Sequence, residues 1–183
     1  MNFEYRRHGL KNGNNISKEG LEAAEALGIE LGRSRDYDVV VGGNESRTWQ
    51  TLASFLLGLA NYQHGQRALP PVANFGDGTL FKSWLDRGLA DAVKKTGSNI
   101  RGLAAILTPE EFMAAAQNAL QGVMNVAAQV SNGSVVIGFG HSPIIELAAI
   151  GAGMKLEDVP PLAELEGLEF EVADATVTVK PLK

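Results

Sequence analysis

Strand-like and helix-like segments alternate along these 183 residues. That pattern predicts an α/β fold, a three-layer α/β/α sandwich around a mostly parallel central sheet. Three observations carry the prediction. Short aromatic or β-branched runs at Phe3–Tyr5, Val39–Val41 and Val135–Ile137 have the make-up of buried strands. Between and after them lie segments whose apolar residues recur at helical intervals. Each run also leads into a loop where glycine adjoins charged or titratable residues: Arg7-His8-Gly9, Gly42-Gly43 before Arg47, and Gly140-His141-Ser142. In an open α/β sheet, that crevice beyond the strand carboxyl ends is where ligands bind.

In chain order, the first strand gives way to a polar loop from Lys11 to Asn15, and Ser17 is a good N-cap for a helix running to about Gly32. Leu21, Ala24, Leu27 and Leu31 give that helix a core face, and Lys18, Glu19, Glu22, Glu25 and Glu30 a solvated one. Strand Val39–Val41 precedes a helix from about Ser46 to Leu59, with Leu52, Phe55, Leu56 and Leu59 on one face. The stretch from about 63 to 107 is the least regular, and reads as an insertion or lid over the crevice. Within it Pro70-Pro71 favours extended chain, Asn74–Gly78 looks like a turn, and Phe81 to about Lys95 suits a helix carrying Trp84. Thr108-Pro109-Glu110-Glu111 combines a capping box with proline in the first turn, and predicts a helix to about Val130. Strand Val135–Gly140 and a helix from about Pro143 to Ile150 follow. Glu169–Ala173 and Thr176–Lys180 alternate like the strands of a terminal hairpin, an antiparallel edge to the sheet.

Composition narrows the function classes. Apolar residues at 45% and charged residues at 20% are those of a globular chain long enough for one sizeable core. A net charge of −5 argues against general nucleic-acid or anionic-membrane binding. There is no cysteine, hence no disulfide or thiolate metal site. The start MNFEYRRHGL lacks an apolar signal core, and no apolar run reaches membrane length, so the default expectation is a cytoplasmic protein. The three histidines lie far apart without metal-ligand spacing, and no cofactor fingerprint occurs.

The predicted topology brings Arg7, His8, Arg47 and His141 to one sheet edge. Two guanidiniums and two imidazoles repel one another in a dry site, and a dianion is the ligand that justifies gathering them. Arginine suits phosphate because its planar fork binds two oxygens. Bland alternatives exist: His8 as a loop residue at the surface, His141 as a satisfied core histidine, Arg47 as a helix-surface cap, and Asn14 as a turn former among Asn12, Gly13 and Asn15. Arg6 should point away from the pocket, since strand residues alternate sides. His64 is expected at the surface, and Trp49 and Trp84 are expected to pack.

With these motifs the chain resembles the histidine phosphatase superfamily, the phosphoglycerate mutase-like fold. Arg7-His8-Gly9 resembles its arginine-histidine-glycine motif, Asn14 its loop asparagine and Ile16–Gly20 its first helix start. Arg47–Thr51 is similar to its arginine-x-x-glutamine-threonine element, and Gly140-His141-Ser142 to its second histidine motif. The resemblance covers the first third of the chain and a segment near 135–150, and implies a single domain over residues 1–183. It implies a phosphatase: His8 attacks phosphorus, and water cleaves the resulting phosphohistidine. Arg7, Arg47 and His141 would hold the phosphoryl oxygens, with Gly9, Asn14 and Ser142 adding donors and the helix near Ser46 turning its N-terminus to the anion. No metal is required by this scheme.

The general acid is the departure. Many members carry a glutamate just ahead of a Phe-Gly or Tyr-Gly pair, and matching that pair to Phe75-Gly76 puts Val72 in its place. Asp77 is the nearest substitute, and Glu146 a poorer one. Substrates with good leaving groups, phosphohistidine among them, depend less on such an acid. The expected substrate is a small phosphomonoester or a phosphorylated protein, and a binding module without turnover is the alternative. A mutase is less favoured, since it must retain a bisphosphate. Substrate identity and oligomeric state are not legible.

Overall fold

The computed structural model describes residues 1–75, 78–174 and 176–182. Strand β1 (Asn2–Arg7) opens the chain. The expected polar loop is a small hairpin of β2 (Lys11–Asn12) and β3 (Asn15–Ile16), because Lys11 pairs with Ile16 and Asn12 with Asn15 around Gly13. Helix α1 (Lys18–Gly32) begins as predicted, with the Ser17 side chain accepting from the Gly20 N–H. Strand β4 (Val39–Gly42) is buried throughout, and α2 (Ser46–Leu59) buries Leu52, Phe55 and Leu59. Each such side chain contributes about 2 kcal/mol by leaving water.

The middle is more regular than its sequence suggests. After the two-residue β5 (Arg67–Ala68) and a 3-10 turn at Ala73–Phe75 come three helices, α3 (Gly78–Asp86), α4 (Leu89–Thr96) and α5 (Asn99–Ile106). The single helix expected over Phe81–Lys95 is broken between α3 and α4, where Gly88 takes a φ of 91° that a right-handed helix does not pass through. Helix α6 (Pro109–Ala127) starts on the full capping box between Thr108 and Glu111 and ends three residues before the expected Val130. Strand β6 (Val135–Gly140), α7 (Ile144–Gly151) and the hairpin β7 (Gly167–Ala173) and β8 (Thr176–Pro181) complete the order.

The six-stranded sheet runs β5-β4-β6-β1-β7-β8. β5, β4, β6 and β1 are parallel, and β7 and β8 add the antiparallel edge. Helices α1 and α2 cover one face over Tyr37, Val40, Ile137 and Phe139. The larger core lies on the other face, where Phe3, Tyr5, Val41 and Phe170 meet Trp84, Leu103, Val123 and Leu147 from the remaining helices. The three-layer α/β sandwich is therefore the observed fold.

One face was misassigned from periodicity. Helix α1 turns Gly20, Ala24 and Gly28 inward, with Leu27 and Leu31 half-buried, while Leu21 is exposed. The reason is close approach of α1 and α2. A β-carbon on Gly28 would lie 2.1 Å from the Phe55 carbonyl oxygen, and one on Gly58 would lie 2.0 Å from that of Glu25. Among the described residues, no helix is long and apolar enough to cross a membrane.

Candidate active site

Strands β1, β4 and β6 end side by side, and their last hydrogen bonds continue one residue into the loops. The His8 N–H donates to the Gly140 carbonyl at 3.0 Å, and the Gly43 N–H to the Phe139 carbonyl at 3.1 Å. This extended ladder fixes the backbone that carries His8 and His141. Arg47 enters from the first turn of α2. There the Thr51 hydroxyl donates to the Arg47 carbonyl at 2.8 Å and accepts from the Gly9 N–H at 3.1 Å, tying helix to loop. Gly9 packs tightly, since a β-carbon there would sit 2.8 Å from Ile16 Cδ1 and 3.0 Å from the Gly20 carbonyl oxygen.

The outcome is a cavity of about 500 Å³ onto which Arg7, His8, Asn14, Arg47, His141 and Ser142 all open. The rings of His8 and His141 are 5.0 Å apart and inclined at 68°, and Phe81 packs on the edge of His141 at 5.1 Å. Arg7 is anchored by donating to the Leu162 carbonyl at 2.7 Å and by an ion pair with Glu164 at 3.0 Å. Arg47 pairs with Glu45 at 3.6 Å. Among the described residues, Arg47 Nε and His141 Nε2 are buried without a hydrogen-bond partner. Buried donors in that state are costly in a resting protein and are commonly satisfied by a ligand.

His8 Nδ1 lies 2.7 Å from the carbonyl oxygen of its neighbour Gly9. That contact requires the proton on Nδ1 and leaves Nε2 with a free lone pair. Burial pushes the His8 imidazole down to about 4, against the Gly9 hydrogen bond and with help from Arg47, Arg7 and Lys11. His141 is driven down to about 2, by burial first and then by Arg47 and His8. Burial also lowers Arg47, partly offset by Glu45. Two neutral imidazoles beside two guanidiniums make a positive cavity suited to an anion.

Of the residues expected at the site, Arg7, His8, Asn14, Arg47, His141 and Ser142 gather in one cavity, whereas Gly9 does not line it and gives its N–H to Thr51. Asp77 lies outside the described residues. Val72 is buried in the apolar core and offers the cavity no carboxylate. Glu146 does not line the cavity, although its carboxyl is hydrogen-bonded to the Ser142 hydroxyl. Arg6 points to the other face, where it donates to Glu4 at 2.8 and 2.9 Å. His64 is exposed and Trp84 buried, as expected.

Sequence reasoning missed Lys11, Glu45, Lys82 and Asn99, which also border the cavity. Lys11 and Glu45 sit close in sequence to predicted residues and were discoverable. Lys82 and Asn99 arrive on α3 and α5, which local pattern did not resolve. A larger, more open depression of about 840 Å³ lies at the opposite ends of the strands. Its charged groups are already engaged, Arg67 with the Gln129 carbonyl at 2.6 Å and Asp38 with the Val135 N–H at 2.9 Å. Among the described residues, no group of three or more His, Asp or Glu has metal-binding geometry.

The fold is that of a phosphoglycerate mutase-like α/β sandwich. Among solved structures, the chain is similar to a phosphoglycerate mutase from Bacillus anthracis, with 14% identity, a TM-score of 0.69, and 100% of this chain and 92% of the other covered. An alpha-ribazole phosphatase from Shigella flexneri matches with 18% identity, a TM-score of 0.59, and 100% and 96% coverage. The protein histidine phosphatase SixA, solved with tungstate, matches with 16% identity, a TM-score of 0.52, and 98% and 94% coverage. No family model matches the sequence, and no curated protein matches it.

Proposed function

We propose that this protein is a phosphatase that transfers the phosphoryl group of a phosphomonoester or a phosphorylated protein to His8 and then to water. The observation that carries this reading is the pairing of His8 and His141 at 5.0 Å in a cavity shared with Arg7 and Arg47. With Nδ1 held by the Gly9 carbonyl, His8 Nε2 is a neutral nucleophile at pH 7. Attack in line forms the N–P bond as the ester P–O bond breaks. Arg7, Arg47 and His141, the last in its Nε2–H tautomer, hold the oxygens on which charge is redistributed. Asn14, Ser142 and the backbone after Gly9 supply further donors. Water then attacks the phosphohistidine and regenerates His8, so that one difficult step becomes two easier ones.

Substrate choice falls to the segment 63–107, which acts as a lid. Phe81, Lys82, Leu85, Leu89 and Asn99 from α3, α4 and α5 form one wall of the cavity. Val72 at the place of the usual glutamate favours substrates with good leaving groups, phosphohistidine included. The same observation supports a second reading, a phosphate-binding module without turnover. Assay with p-nitrophenyl phosphate separates the two. The expected result is turnover in the wild type, with an acid-labile phosphoenzyme, and loss of at least about a thousandfold in His8→Ala. Equal turnover in His8→Ala rejects His8 as nucleophile. Phosphate binding with no turnover across substrates and pH selects the binding module.

A further inference from the structure

A polar chain runs from the cavity wall into the core, where only its inner end is buried. Asn99 on α5 donates from Nδ2 to Ser142 Oγ at 3.0 Å. Ser142 in turn meets Oε1 of Glu146, in the first turn of α7. Ser142 lines the cavity and Glu146 does not. Glu146 is only 1% exposed, and its Oε2 is buried without a partner among the described residues. An ionised carboxylate with one oxygen unpaired in an apolar core is strongly disfavoured, whereas a neutral acid tolerates that site.

A serine hydroxyl has one proton to give and two lone pairs with which to accept. We propose that Glu146 is a positioning residue whose acid form donates to Ser142 Oγ and thereby turns the Ser142 proton into the cavity, onto an oxygen of bound phosphate. With Asn99 and Glu146 filling both lone pairs, the hydroxyl has the cavity as its remaining direction. When Glu146 ionises, the Ser142 proton swings back to the carboxylate. The cavity then loses a donor and gains a negative charge behind its wall. This rests on the reading of the cavity as a phosphate site, and it extends that reading by making phosphate affinity depend on a side chain that the anion never touches.

The surroundings favour the acid form below about pH 7. Burial lifts the Glu146 carboxyl to about 7, against the pull of Ser142, its own backbone N–H and Arg7. Facing it from β1 are Arg7 and Tyr5, whose own hydroxyl is buried without a partner and is pushed up by burial and by Glu146. The core that α6 and β7 build around α7 is apolar there, with Ala116, Ala119, Leu168 and Phe170.

The test is calorimetric titration of the full chain with inorganic phosphate from about pH 6 to about pH 8.5, for wild type, Glu146→Gln and Ser142→Ala. A glutamine amide donates to Ser142 at every pH, so Glu146→Gln should hold its affinity while the wild type weakens relative to it by about tenfold over that interval. The ionisation of phosphate itself is common to all three proteins and cancels in the ratio. In a Ser142→Ala background the gap between glutamate and glutamine should shrink. Should Glu146→Gln fail to fold, carbon NMR of the wild-type Glu146 carboxyl decides instead, because bound phosphate should raise its titration midpoint and Ser142→Ala should remove the rise. A wild-type to Glu146→Gln ratio that stays flat with pH, or a gap untouched by Ser142→Ala, overturns the inference even if His8-dependent turnover is intact. Absence of turnover with the pH-dependent gap preserved removes the phosphatase reading and leaves the inference standing. No phosphate binding by the wild type at any pH overturns both.

Discussion

At the scale of single residues, the candidate site holds two imidazoles whose protonation burial shifts to lower pH. His8 and His141 are neutral because burial and nearby guanidiniums oppose protonation. An unfolded chain protonates both near 6.5, so below that pH the unfolded state binds more protons than the folded one. Each histidine therefore costs stability as pH falls, His8 from about 6.5 down to about 4. Glu146 works in the opposite sense, because its raised pKa adds stability that is complete below the unfolded value near 4.5 and disappears as pH rises through about 7. The informative quantity is thus a difference between proteins. Between pH 6.5 and 4 the melting temperature of wild type should fall relative to that of His8→Asn, and millimolar phosphate should narrow the gap by pairing with the cations. Parallel melting curves over that range would show that His8 is not held neutral by the fold.

At the scale of elements, α1 and α2 are pressed together at Gly28 and Gly58 until backbone touches backbone. Gly58→Ala should cost about 3 kcal/mol, because its methyl would meet the Glu25 carbonyl and neither helix has room to retreat. Chemical denaturation reads this directly, and a loss below about 0.5 kcal/mol would mean that the crossing is looser than described. This contact also explains which elements the sequence disclosed. The start of α1 at Ser17, the α6 capping box and the glycine-ended strands β4 and β6 are written in local chemistry, and they emerged where expected. The inward face of α1 was misread because glycine carries no hydrophobic signal, yet it is glycine that lets α2 approach. α3 and α4 were read as one helix over Phe81–Lys95, because the left-handed turn at Gly88 leaves no mark in the apolar pattern, and α5 was not anticipated. The four residues at the heart of the cavity were legible because each sits beside a strand end. Lys82 and Asn99 were not, because their place depends on packing between elements.

At the scale of the whole molecule, the two faces of β1 divide the labour. One side leads to the cavity through Arg7, while the other buries an ionic cluster centred on Glu4. Glu4 is 1% exposed and receives Arg6 at 2.8 Å, Arg35 at 2.7 Å and the Tyr37 hydroxyl at 2.8 Å. Arg35 continues to Glu169 on β7, which also holds Lys180 of β8 at 2.8 Å. This cluster ties the antiparallel hairpin to the parallel half of the sheet. Glu4→Ala leaves Arg6 and Arg35 without their buried counter-charge and should destabilise the fold by about 3–5 kcal/mol, while phosphate binding by whatever fraction stays folded is retained. Calorimetry with and without phosphate tests both halves, and a melting temperature within a degree or two of wild type would show that the cluster contributes little.

The order β5-β4-β6-β1-β7-β8 leaves its outer strands, β5 and β8, as rims of the kind at which another chain docks by backbone pairing. Neither rim invites it. β5 offers two residues and is soon followed by Pro70-Pro71. β8 carries the ammonium group of Lys180 and ends at Pro181, whose nitrogen has no hydrogen to share. A protein with this sheet is thereby guarded against fibrous self-association at the same time as its interior strands are free to be as greasy as a tight core demands.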